Sequence, residues 1–180
     1  MNQIEELQLA YISYKRSDGQ LKDCVNWAVE RLGEDEDEGD EEVILLASSS
    51  NDWEIDQLVY NILWRYLGSD ADNEEYWAGH LLVDLYDKYL AGNIGITELD
   101  KKILSLYNNL DYPDWMVMLS SNCEYATDVD AYLKPFKDEF KYITDLWRES
   151  KSLDDFTKKY DRRISNSHEA DFIKRNKGLG

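Results

Sequence analysis

Apolar residues recur at three- and four-residue spacing through nearly the whole chain, and short polar capping residues sit just ahead of the runs. Asn51 with Glu54 opens one such segment, Asp72 with Glu75 a second, Thr97 with Asp100 a third, Ser152 with Asp155 a fourth and Asn166 with Glu169 a last one. In a capping box the first side chain accepts from orphan backbone N–H groups of the first helical turn, and the acid three residues on reaches back. Ile4, Leu7, Tyr11 and Tyr14 predict an amphipathic helix over 3–16. Leu21, Cys24, Val25, Ala28, Val29 and Leu32 predict a second, with Gly33 as its stop. EEVILLASS reads as a short buried helix, with VILLA as a strand the alternative. Trp53 to about Leu67 closes at Gly68, and Tyr76 to Tyr89 closes at Gly92. Pro113 suits the first turn of a helix over Asp114 to Leu119, and Pro135 fits a long helix to Ser150 that starts near Leu133. Only 2 prolines and 9 glycines interrupt 180 residues, which favours long helices over many turns. The expectation is an all-α single domain over 1–180, a bundle of about eight or nine helices.

Charge is the second constraint. Net charge is −18, and residues 1–100 hold 24 acids against 6 bases, while residues 101–180 hold 14 of each. The stretch GEDEDEGDEEV places Glu34, Asp35, Glu36, Asp37, Glu38, Asp40, Glu41 and Glu42 in eleven residues. It reads as a weakly ordered acidic loop over 34–42, and the tail over 162–180 reads as basic and weakly ordered. So one-sided a field repels nucleic acid and anionic membrane and attracts cationic surfaces. No run of about 18 apolar residues exists to cross a membrane. The N-terminus carries acids where a signal peptide needs bases, and Cys24 and Cys123 form no framework. Both point to the cytoplasm.

The patterns of catalysis and metal binding fail one by one. Asp70, Asp72 and Glu74 imitate the start of a calcium loop, but Glu75 stands where its turn glycine belongs and Leu81 where its bidentate acid belongs. His80 and His168 belong to no HExxH, and GxSxG, the P-loop and GxGxxG are absent. A Cys–His nucleophile pair assembled in space has no local signature, and buried small hydrophobe is the ordinary role of a lone cysteine. The expectation is a non-enzymatic protein with no cofactor and no metal. Trp27, Leu58, Trp64, Trp77 and Trp147 at helical spacing read as core. Yet 6 Trp and 13 Tyr exceed what one core needs, so some serve as surface anchors.

The order VNWAVERLGEDEDEGDEEVILLAS, then a two-helix segment, then ILSLYNNLDYPDWM and a late WRES resembles a bacterial family of small acidic helical proteins. Those proteins are encoded beside polymorphic toxins and regarded as immunity proteins. The resemblance spans residues 20–150, and its most distinctive pieces are Trp27 to Ala47 and Leu110, Asp111, Tyr112, Pro113. It implies a cognate toxin as partner but no residue-level contact. Charge agrees in kind: a basic nuclease must hold polyphosphate, and a protein that blocks it needs carboxylates where phosphates would lie, plus aromatic anchors. The eight acids from Glu34 to Glu42 are the expected partner-binding residues, steering association more than anchoring it. An adaptor or regulatory module for another basic partner is the alternative, and an enzyme of an unrecognised helical class the third.

Overall fold

The computed structural model describes residues 3–33 and 39–162, and the described residues form an all-α bundle. Its helices are α1 (Gln3–Arg16), α2 (Leu21–Gly33), α3 (Glu41–Ser48), α4 (Asp52–Leu67), α5 (Glu74–Leu90), α6 (Ile96–Asn109), α7 (Val117–Asp128), α8 (Leu133–Glu149) and α9 (153–162). Short 3-10 turns at Gly68–Asp72, Asp114–Met116 and Asp130–Tyr132 lead into α5, α7 and α8. VILLA is helical. Glu34 to Glu38, and the capping box at Asn166, lie outside the described residues.

Two apolar clusters hold these helices together, and α1 contributes to both. Ile4, Leu7 and Tyr11 pack with Cys24, Trp27, Val43, Leu46, Val59 and Ile62 from α2, α3 and α4. Leu9 and Ile12, on the other side of α1, join Leu82, Leu106, Phe140 and Trp147 from α5, α6 and α8. Ile4, Leu7, Tyr11 and Tyr14 therefore describe only one of its two buried faces, and Tyr14 is more exposed than buried partners such as Leu7. Between the faces lies Gln8, fully buried, whose Nε2 donates to the Ala71 carbonyl at 3.1 Å. That bond ties α1 to the turn between α4 and α5. It satisfies the amide nitrogen, while the buried Oε1 has no hydrogen-bond partner among the described residues.

The second cluster is built around stacked aromatics. Trp147 lies flat against Phe156 of α9, centroids 3.8 Å apart and planes 7° apart, with Trp115 edge-on to both. The flat face of Trp147 also presses on α5, where Gly79 leaves no room: a β-carbon there would overlap the indole. Three of the four buried tryptophans find a partner for the ring N–H. Trp27 donates to the Gln3 carbonyl at 2.8 Å, Trp77 to the Asp70 carbonyl at 2.7 Å and Trp115 to Glu75 at 2.7 Å. His80, edge-on to Tyr76, is half-buried, and that burial lowers its pKa.

Helix starts follow local chemistry unevenly. Asn51 caps α4 as expected, accepting from the N–H groups of Trp53 and Glu54, and Gly68 closes it with φ of 58°. Ser152 accepts from Asp155 N–H at 3.2 Å, at the start of α9. The boxes at Asp72 and Thr97 do not form. Asn73 caps α5 instead, because Glu75 is engaged by the Trp115 indole. Gly95 precedes α6 without a side-chain cap, and Asp100 is turned toward Cys123. Pro135 falls in the first turn of α8, where its missing N–H costs nothing. Pro113 precedes a 3-10 turn and then α7, which runs nine residues beyond Leu119 to Asp128.

Gly79→Ala tests the seam between α5 and α8. Overpacking of this kind destabilises by about 2 kcal/mol, more than the roughly 1 kcal/mol that alanine adds to a helix interior. The urea midpoint should fall; a rise would mean that the Trp147 indole lies elsewhere.

Candidate partner-binding face

With α1 occupying the inner side of α4, the outer side of α4 is left to solvent. Ile55, Val59, Ile62 and Leu63 are buried, while Trp53, Tyr60 and Trp64 recur at steps of seven and four residues along the opposite face. Trp53 is 74% exposed and Trp64 46%, and the Tyr60 and Trp64 rings stack with centroids 6.1 Å apart. Placing Trp64 in the core is thus corrected: a helix of this length buries one stripe, and Ile62 and Leu63 already fill it. Trp27, Trp77 and Trp147 are buried as expected, and Trp115 joins them. In α3, Val43 and Leu46 face inward, but Ile44 and Leu45 are exposed, so the short buried helix is buried on one side only.

The chain that carries this aromatic stripe is rich in carboxylates. Residues 39–74 contain nine acids and a single base, Arg65. That base is already committed, reaching Asp40 at 2.5 Å and Glu42 at 3.1 Å while lying over the Tyr66 ring. Asp40 also caps α3, accepting from the N–H groups of Glu42 and Val43. Of the acids expected to meet a partner, Asp40 and Glu42 thus serve the fold first. Glu41 is exposed, and Glu34, Asp35, Glu36, Asp37 and Glu38 lie outside the described residues. Asp52 and Glu54, which the sequence did not single out as partner residues, are exposed on either side of Trp53.

A groove of about 370 Å³ runs beside the stripe, between α1, α4 and the turn into α5, lined by Tyr11, Lys15, Asp56, Tyr60, Asp72 and Glu74. Its existing pairs show what it favours. Lys15 bonds Asp56 at 2.8 Å with its ammonium 5.1 Å from the Tyr11 ring centre, and Tyr11 donates its hydroxyl to Asp56 at 3.0 Å. Burial, then Asp56, push the Tyr11 phenol well above its usual range. Glu74 pairs with Arg16. A cation between carboxylate and ring occurs at Lys15 here and at Arg65 near the start of α3, and such sites hold ammonium and guanidinium groups by charge and ring quadrupole together.

The other candidate residues sit apart. Asp70 and Asp72 belong to the 3-10 turn and Glu74 starts α5. Cys24 and Cys123 are buried free thiols in different clusters. Burial, then Asp23 and Asp56, push the Cys24 thiol up to about 12, and burial with Asp100 raises Cys123. Both are held as thiols, the weaker nucleophilic form. No helix of the described residues is long and apolar enough to cross a membrane. Comparison with protein-family models, curated proteins and solved structures finds no match for this chain.

If the stripe on α4 is surplus to the core, removing it leaves the fold intact. Trp53→Ala and Trp64→Ala should each change unfolding free energy by less than about 1 kcal/mol, whereas Trp147→Ala should cost about 3–5 kcal/mol. Comparable losses in chemical denaturation at all three positions would show that α4 packs through both faces.

Proposed function

We propose that this chain is an immunity protein that binds and neutralises a cognate bacterial toxin, a basic nuclease-type protein, inside the cell that makes both. It acts by occlusion rather than catalysis. The observation that carries this reading is the outer face of α4, where Trp53, Tyr60 and Trp64 stand exposed among carboxylates that outnumber bases nine to one between residues 39 and 74. Exposed large aromatics on a rigid helix supply binding energy with little ordering cost, because the backbone that carries them is already fixed. The carboxylates supply steering and specificity: they speed encounter with a cationic surface and compete for the places that polyphosphate would take. The resemblance around Trp27 to Ala47 and Leu110 to Pro113 supports the same reading.

The reading requires a toxin gene beside this one, and the test is co-expression with the toxin domain that gene encodes. Wild-type protein should restore growth and co-purify with the toxin domain as a stable complex. The Trp53→Ala, Trp64→Ala double variant should fold normally and lose at least about 2 kcal/mol of affinity, the scale of an interface hot spot. Unrelieved toxicity, with no complex in calorimetry, would refute the reading.

A further inference from the structure

The turn that joins α6 to α7 holds two side chains in a backbone conformation they disfavour. Asp111 and Tyr112 both have φ of 62°, and neither is glycine. Left-handed backbone crowds the β-carbon, and a residue before proline ordinarily takes an extended conformation. Tyr112 meets both objections at once, since Pro113 follows it. The conformation is nonetheless well braced. Tyr112 N–H donates to the Tyr107 carbonyl at 3.0 Å, and Met116 N–H to the Pro113 carbonyl at 2.9 Å. Arg16 donates to the Asn109 carbonyl at 3.1 Å, and Asn109 returns a bond to the Arg16 carbonyl at 3.1 Å. Arg16 pairs as well with Glu74 on the wall of the groove, so the turn is fastened to the candidate face through α1.

The core gains little from Tyr112 in return. Tyr112 is 56% exposed, and its ring meets Tyr107 edge-on, centroids 5.1 Å apart. Exposed Asp111 and Asp114 flank it, while Trp115 and Met116 just beyond turn inward and anchor the loop. The arrangement repeats the chemistry of the N-terminus of α4, where exposed Asp52 and Glu54 flank exposed Trp53. In both places an exposed aromatic residue has exposed carboxylates within two positions of it in the chain, a combination that suits a guanidinium or ammonium that stacks on the ring and bonds to the acid.

We infer that the Asp111–Asp114 turn is a second contact point for a basic protein partner, with Tyr112 held left-handed so that its ring meets an Arg or Lys side chain of that partner. The inference rests on the proposed reading of the α4 face and adds a separate grip to it. The full chain is titrated by amide and indole NMR with an amphipathic helical peptide of leucine and arginine, about 14 residues long so that it holds a helix on binding. The amides of residues 110–114 and the Trp53 indole should shift saturably. Tyr112→Gly should weaken binding about fivefold, and Tyr112→Phe should leave it unchanged, the ring rather than the hydroxyl carrying a cation–π contact. A Trp53 shift with no shift at 110–114, or wild-type affinity in Tyr112→Gly, would overturn this inference and leave the α4 reading standing. No shift at either place would remove both. Urea unfolding checks the conformation itself: Tyr112→Gly should have a higher midpoint than Tyr112→Ala, because glycine accepts φ of 62° and alanine does not. The reverse order would deny the left-handed turn and the inference with it.

Discussion

Helix α1 is the element on which the two halves of this bundle depend. Leu7 and Tyr11 point into one apolar cluster, Leu9 and Ile12 into the other, and Gln8 between them is buried and bonded to the turn after α4. A helix with two buried faces has little freedom to slide, because any rotation that improves one contact degrades the other. The glutamine sharpens this, since an unsatisfied buried amide carries a penalty that a sliding aliphatic residue would not. Leu7 and Tyr11 fill one cluster and Leu9 and Ile12 the other, so α1 is shared by both.

That placement decides which surfaces are left over. Because α1, α2 and α3 cover the inner side of α4, its outer side has nothing to pack against within the described residues. The six tryptophans divide along the same line: Trp27, Trp77, Trp115 and Trp147 are buried, and Trp53 and Trp64 are exposed. Exposed aromatics near carboxylates are a poor contribution to stability and a good one to recognition. Charge follows suit. Most of the ion pairs are solvent-exposed and worth little to the fold, and Arg65 is spent on Asp40 and Glu42 at the start of α3. Asp56 is held by Lys15 and Glu74 by Arg16, and exposed acids such as Glu41 and Asp52 are left to act on whatever approaches.

The sequence made the helical class and most helix positions legible because periodicity and caps are local signals. Asn51 acted as read, since both groups it serves lie within three residues. Asp72 and Thr97 did not, because Glu75 and Asp100 found partners, Trp115 and Cys123, that are distant in sequence. Trp64 carried the same helical spacing as a core residue, and only the presence of Ile62 and Leu63 on the inner face reveals that it is outside. The two-sided character of α1 was hidden for a related reason: Leu9 and Ile12 fill a second stripe that a one-face reading discards. The acidic run was visible, but its capping and its pairing were not, since Arg65 lies 25 residues from Asp40. Nothing in Leu110 to Pro113 announces two left-handed residues, as that conformation is imposed by Tyr107, Arg16 and Asn109 together.

The division of the tryptophans supplies the most direct measurement. Acrylamide quenching of intrinsic fluorescence separates exposed indoles from buried ones, and it can be recorded on the free protein and on its complex with the basic toxin domain that the proposed function requires. In the free protein a readily quenched component should come from Trp53 and Trp64, and removing either one should diminish it. If the proposed recognition through the outer face of α4 holds, binding should abolish that component and leave the slow component of the four buried indoles unchanged. A formed complex in which Trp53 and Trp64 remain as quenchable as before would contradict the assignment of that face as the site of recognition.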